Sequence, residues 1–270
     1  MQENLITSLQ NPFLKEVAKL QQKAQERRKK GLFVAEGVRE VSLALGSDTE
    51  PVNLIISAEI YQPDTEYPVS LEKYKPLIRY TSREAYNKIA YRKNAEGIIL
   101  IAKKFQTELE SIALKSNPLL VVLESVEKPG NLGAILRTAD AAGADAIVIC
   151  DPQTDIFNPN VIRSSLGCVF TKPIAVCRSE EFLQWAAKKN IKTFIATLQS
   201  RSVYFEKDLT GPVAFVFGTE ADGLSQLWYE KADEKIYIPM QGKSDSLNVS
   251  ASVAVMLFEA QRQRLIREGV

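Results

Sequence analysis

From Pro118 onward, short runs of branched and aromatic apolar residues recur at residues 119–123, 146–150, 193–197, 213–217 and 235–238, each followed by a polar loop or helix-forming sequence. Runs that are apolar throughout, rather than alternating, suit strands covered on both faces, and strands separated by helical sequence pair in parallel. The last long pattern, about residues 247–267, is apolar as far as Phe258 and then turns polar and basic through Arg262, Arg264 and Arg267. It predicts a C-terminal helix buried over its first half. Ahead of Pro118 the elements are shorter and mixed. A polar helical stretch runs from Pro12 to about Lys30, strands are expected at 32–35, 52–57, 77–80 and 97–102, and helices from Gly37 and over 83–90. Residues 103–117 are charged, weakly periodic and end at Asn117-Pro118, a pair that biases the chain away from helix. The pattern therefore predicts an α/β chain of two domains: a smaller one over 1–102, a linker over 103–117, and a parallel-sheet domain over 118–270.

Composition narrows the chemistry more than the fold. With 270 residues, 45% of them hydrophobic, the chain can bury sizeable cores. No apolar run approaches the roughly 20 residues of a membrane span, and the first four residues lack the basic, apolar character of a signal peptide, so a cytoplasmic location with no membrane contact is expected. Cys150, Cys168 and Cys177 show no C-x-x-C spacing and sit in apolar surroundings, which predicts buried thiols and no metal site. Histidine is absent, which excludes imidazole bases, His-ligated metals and His-dependent triads. The net charge is only +1, yet Lys23-Ala-Gln-Glu-Arg-Arg-Lys-Lys30 concentrates cations in one short stretch.

Three polar segments follow strand-like runs. Glu127-Lys-Pro-Gly-Asn-Leu-Gly133 leads into Ala134-Ile-Leu-Arg137, with Asn131 a plausible N-cap and Arg137 within the helix. Phe217-Gly-Thr-Glu-Ala-Asp-Gly223 sets two glycines around Glu220. Ile238-Pro-Met-Gln-Gly-Lys-Ser-Asp-Ser-Leu-Asn-Val-Ser250 offers Ser246 or Asn248 to cap the last helix. Each alone is equally a capped turn. Together they are three polar loops at strand ends, where α/β sheets bind ligands. The G-x-G-x-x-G dinucleotide fingerprint follows none of the expected strands, which argues against a nucleotide-dependent oxidoreductase.

These three segments, in this order, resemble the SpoU/TrmH family of RNA ribose methyltransferases. The resemblance implies a C-terminal SPOUT domain, a parallel sheet flanked by helices with a deep trefoil knot, beside a smaller N-terminal α/β RNA-binding domain. It implies transfer of a methyl group from S-adenosylmethionine to a ribose 2′-hydroxyl. Arg137, Asn131, Glu220, Ser246 and Asn248 stand at the family's catalytic positions, and Leu198, Gly218, Ile238 and Leu247 where its cofactor is cradled. Lys128, before the Pro, and Ala221, after Glu220, depart from the usual pattern. Ser8-Leu-Gln-Asn-Pro12 with Lys15, the basic run with Arg27, Arg28, Lys29 and Lys30, and Leu32-Phe-Val-Ala-Glu-Gly37 resemble the family's substrate-binding domain and are expected to contact the RNA backbone. Ribosomal RNA is favoured over tRNA because tRNA-specific relatives more often lack that domain, and a homodimer through the C-terminal domain is implied. The competing expectation is a non-catalytic RNA-binding member of the same fold.

Overall fold

The computed structural model describes residues 5–269; the chain start, read above for a signal peptide, lies outside them. The chain divides into two compact units, residues up to Phe105 with Asp155–Thr171, and Gln106–Thr154 with Lys172 onward. The partition falls inside the stretch expected as a linker, yet Leu109 and Ile112 there are buried in the core of the second unit. Among the described residues, no helix is long and apolar enough to cross a membrane.

The first unit runs through β1 (Leu5–Ile6), α1 (Pro12–Gln22), α2 (Ala24–Lys30), β2 (Leu32–Glu36), α3 (Val38–Leu45), β3 (Pro51–Ile56), β4 (Ile78–Thr81), α4 (Arg83–Ile89) and β5 (Ile98–Lys103). Its sheet has the order β1-β4-β3-β5-β2, with β5 antiparallel to both neighbours. The single helix expected over residues 12–30 is broken at Lys23, which is extended at φ −117° and ψ 112°. The break lets Arg27 turn inward, where its guanidinium donates to the Leu20 and Gln21 carbonyls at 2.8 and 3.1 Å and pairs with Asp155 at 2.7 Å. These carbonyls belong to the last turn of α1 and have no helical partner of their own.

The second unit starts with β6 (Leu119–Glu124), α5 (Pro129–Ala141) and β7 (Ala146–Cys150). The chain then visits the first unit through α6 (Pro159–Ser164), with Phe33 of β2 stacked on Phe157 at 5.3 Å and on Phe170 at 5.5 Å. It returns as β8 (Ile174–Cys177), α7 (Ser179–Lys188), β9 (Lys192–Ala196), β10 (Val213–Phe217), α8 (Gln226–Lys231), β11 (Glu234–Ile236) and α9 (Val249–Glu268). All neighbours in the order β11-β9-β10-β6-β7-β8 are parallel. Every residue of β6, β7 and β10 is buried, as continuous apolar strands require. The apolar pattern missed α6 and β8, which are six and four residues long.

Candidate active site

The C-terminal ends of β6 and β10 lie side by side, Phe217 in register with Leu123, so the loops that follow them emerge together. The loop before α9 reaches the same place. Glu220 is where they meet: its Oε1 accepts from the side-chain amides of Asn131 at 3.0 Å and Asn248 at 2.5 Å, and its Oε2 pairs with the Lys128 ammonium. The Asn248 amide also lies 3.4 Å from Asn131 Oδ1.

Local chemistry explains each position. Pro129 occupies the first turn of α5, where its fixed φ suits a helix start and its missing N–H costs nothing. The cap position falls on Lys128, so Asn131 is not the N-cap expected from the sequence but a residue of the first turn, its side chain left free to reach Glu220. Asn248 does cap α9, its Oδ1 accepting from the Ser250 N–H at 3.0 Å while its amide turns to Glu220. Both ends of that side chain are thus committed. The Lys128 hydrogen bond, aided by those of Asn131 and Asn248, holds the Glu220 carboxyl below the ordinary carboxylate range. The same contact raises the Lys128 ammonium above the usual lysine value.

Beside this cluster lies a cleft of about 550 Å³. Leu198, Gly218, Ile238 and Leu247 line it, with Ser246 and Asn248 at one side. Small-molecule sites have volumes of about 300–1,000 Å³ and are mostly apolar with a few placed polar groups. Leu198 and Leu247 remain 63% and 40% exposed although large and apolar, so the chain itself leaves them uncovered. A flat, partly apolar group with a polar tail, such as S-adenosylmethionine, fits that lining. A larger hollow of about 750 Å³ lies against α7 and α8, lined among others by Leu183, Ala187 and Lys231; no residue of the three loops borders it.

Arg137 is set apart. It is exposed on α5, carries no side-chain partner among the described residues, and is absent from the lining of the cleft. Six residues beyond Asn131, it leaves the helix roughly 120° around the axis at 3.6 residues per turn. Of the expected RNA contacts, Lys15, Arg28, Lys29 and Lys30 are exposed, with Lys30 paired to Glu16. Arg27 differs from the other four: at 2% exposure and bound to Asp155, it points into the first unit and not to its surface. Among the described residues there is no group of three or more metal-binding side chains.

Residues 118–258, more than half of the chain, match the model of the SpoU rRNA Methylase family. The chain belongs to the SpoU rRNA methylase family. Residues 11–100 match the MRM3-like substrate binding domain. Among other SpoU methylases, the chain is 29% identical to the 23S rRNA (guanosine(2553)-2'-O)-methyltransferase RlmP of Bacillus subtilis, over 94% of this chain and 97% of that one. It is 34% identical to the 23S rRNA (guanosine-2'-O-)-methyltransferase RlmB of Photobacterium profundum, over 85% and 97%. An AdoMet-bound rRNA methyltransferase from Sinorhizobium meliloti superposes with a TM-score of 0.86 at 29% identity, covering 96% and 97% of the two chains. In this SpoU methylase the sequence treats Lys128 only as a departure from pattern, whereas it completes the set of donors around Glu220. It also passes over Glu124, although a lone acid ending an apolar strand is a usable signal.

Proposed function

We propose that this chain transfers the methyl group of S-adenosylmethionine to a ribose 2′-hydroxyl of ribosomal RNA. The observation that carries the reading is the meeting of Asn131, Glu220 and Asn248, from three separate loops, beside a cleft of fitting size lined by apolar and polar residues alike. The match to the SpoU family and the names of the relatives support ribosomal RNA over tRNA.

Bound along Leu198, Gly218, Ile238 and Leu247, S-adenosylmethionine supplies a methyl group on a sulfonium, which is already a good leaving group. What remains for the protein is to place the hydroxyl in line and ease the loss of its proton. Glu220 locks the Asn131 and Asn248 amides in one arrangement, and with Ser246 these are the groups that orient the ribose and meet developing charge. Glu220 and Lys128 are poor proton acceptors, because each stabilises the charged form of the other. Arg137, always a cation, clamps the adjacent phosphate and favours the ionised hydroxyl. Since it leaves α5 away from Asn131, we assign it to the cleft of a second copy in a homodimer formed through the C-terminal unit. Phe258 and Ile266, 52% and 61% exposed on α9, provide apolar surface for such contact. The N-terminal unit recognises RNA through Lys15, Arg28, Lys29 and Lys30. A deep trefoil knot and a cytoplasmic location belong to the same proposal and rest on the family resemblance.

The test is methylation of an unmodified 23S rRNA transcript by the purified protein with S-adenosylmethionine, mapped by mass spectrometry. One nucleotide gaining a ribose methyl group is expected. Calorimetric binding of S-adenosylmethionine without any methylated RNA would favour the non-catalytic RNA-binding member of the fold.

A further inference from the structure

The turn that carries Glu220 is held at two levels. Within it, Thr219 and Gly223 exchange backbone hydrogen bonds, 3.0 Å from the Thr219 N–H and 3.2 Å from the Gly223 N–H, closing a ring around Glu220, Ala221 and Asp222. Gly218 approaches that ring so closely that a Cβ on it would lie 2.1 Å from the Gly223 carbonyl oxygen. Below the ring the chain leaves through Ser225, whose backbone N–H and hydroxyl both donate to the Glu124 carboxylate, at 2.7 and 2.6 Å.

Glu124 is the last residue of β6 and only 6% exposed. Ser179 donates from its N–H and hydroxyl to Asp151 at 3.1 and 2.6 Å, and the same hydroxyl proton is shared only weakly with Glu124 Oε1 at 3.4 Å. A carboxylate this buried is tolerated only when donors surround it. Here those donors stand at the starts of α7 and α8, so the buried charge ties the end of a central strand to the far end of the Glu220 turn.

We propose that Glu124 is a positioning residue for methyl transfer: it fixes the 218–225 turn at the height where Glu220 meets Asn131 and Asn248. This rests on the role proposed above for Glu220. The ring alone sets the shape of the turn, and Glu124 sets its place.

Single-turnover methylation of the unmodified 23S rRNA transcript tests this, with rates normalised to the fraction of protein that binds S-adenosylmethionine by calorimetry. Glu124→Ala should slow transfer by on the order of tenfold, as removal of outer partners that orient functional groups does. Ser225→Ala, which keeps the N–H, should slow it less, and Glu124→Gln should restore most of the rate because its amide oxygen still accepts from that N–H. Both losses should vanish when Glu220 is already Gln. Losses that multiply with that of Glu220→Gln, or a normalised Glu124→Ala rate equal to wild type, overturn the proposal. If Glu124→Ala does not fold, the Ser225→Ala and Glu220→Gln cycle decides by the same criterion. Glu220→Gln at the wild-type rate would overturn the role of Glu220 and this inference together, an outcome distinct from multiplicative losses.

Discussion

A single carboxylate gathers the chemistry of the cleft. Glu220 accepts from Lys128, Asn131 and Asn248, so its charge is the reason that two amides from distant loops share one geometry. Removing the Lys128 ammonium takes away the main influence that lowers the Glu220 pKa. Lys128→Ala should therefore move the acid limb of the pH–rate profile upward, since Glu220 would protonate, and release the amides, at higher pH. An unmoved limb would remove Lys128 from the site. Arg137→Ala should abolish methylation while S-adenosylmethionine affinity, measured calorimetrically, stays within about threefold, because its proposed partner is the phosphate beside the hydroxyl and not the methyl donor. The resemblance named Asn131, Glu220 and Asn248, but not the contacts among them. The residues of the cluster stand out as polar groups after apolar runs, but Asn131 and Glu220 are 89 positions apart, and only strand order brings them together.

Helices and strands show the same division between what patterning reveals and what it hides. The strands β6, β7 and β10 are legible because burial on both faces demands continuous apolar residues. β8 escaped because it is short, begins just after Pro173 and is only half-buried at its last two residues. In α2, four consecutive cations read as one solvated face, yet Arg27 is drawn inward by Asp155, 128 positions away. The basic run thus splits into two kinds of residue, with opposite consequences. Replacing Arg28, Lys29 and Lys30 by Ala should weaken RNA binding and flatten its dependence on salt, with little change in thermal stability. Arg27→Ala, by contrast, takes the nearer cation from Asp155, leaving Lys104 at 3.9 Å, and leaves the Leu20 and Gln21 carbonyls without their donor; it should cost about 3 kcal/mol of stability in denaturant unfolding. Equal effects of the two substitutions on RNA affinity would refute the split.

At the scale of the whole molecule, the two units should respond to acid in opposite senses. Glu36 and Glu40 in the first unit have raised pKa values, chiefly from burial. Their contribution is fully present below the ordinary value of 4.5 and is lost as pH rises through the folded value. In the second unit, hydrogen bonds lower Asp208, Glu234 and Glu259, from Thr210, from Lys207 with Lys192, and from Arg262 respectively. Their smaller, partly screened contributions are lost as pH falls. Trp185 and Trp228 both belong to the second unit, so tryptophan fluorescence reports it alone. Between about pH 5 and pH 3 that signal should lose denaturant resistance, while amide exchange in β2, β3 and β5 should not quicken to match. A tryptophan transition that strengthens in acid would contradict the assignment. Assembly offers a second check. Mixing Arg137→Ala with Asn131→Ala subunits should restore roughly a quarter of wild-type methylation if each cleft borrows its guanidinium from a second copy. No recovery would return Arg137 to its own subunit.

The excursion of residues 155–171 into the first unit has a consequence for biosynthesis. Phe33 has its aromatic neighbours at Phe157 and Phe170, and Arg27 its counter-ion at Asp155, so a nascent chain that has emerged only as far as residue 105 lacks the pieces that finish its first unit. The core from Leu14 to Ile101 can gather before then, but Phe33 and Arg27 stay uncapped. Its last aromatic contact forms only once translation has carried the chain past β7 to Phe170.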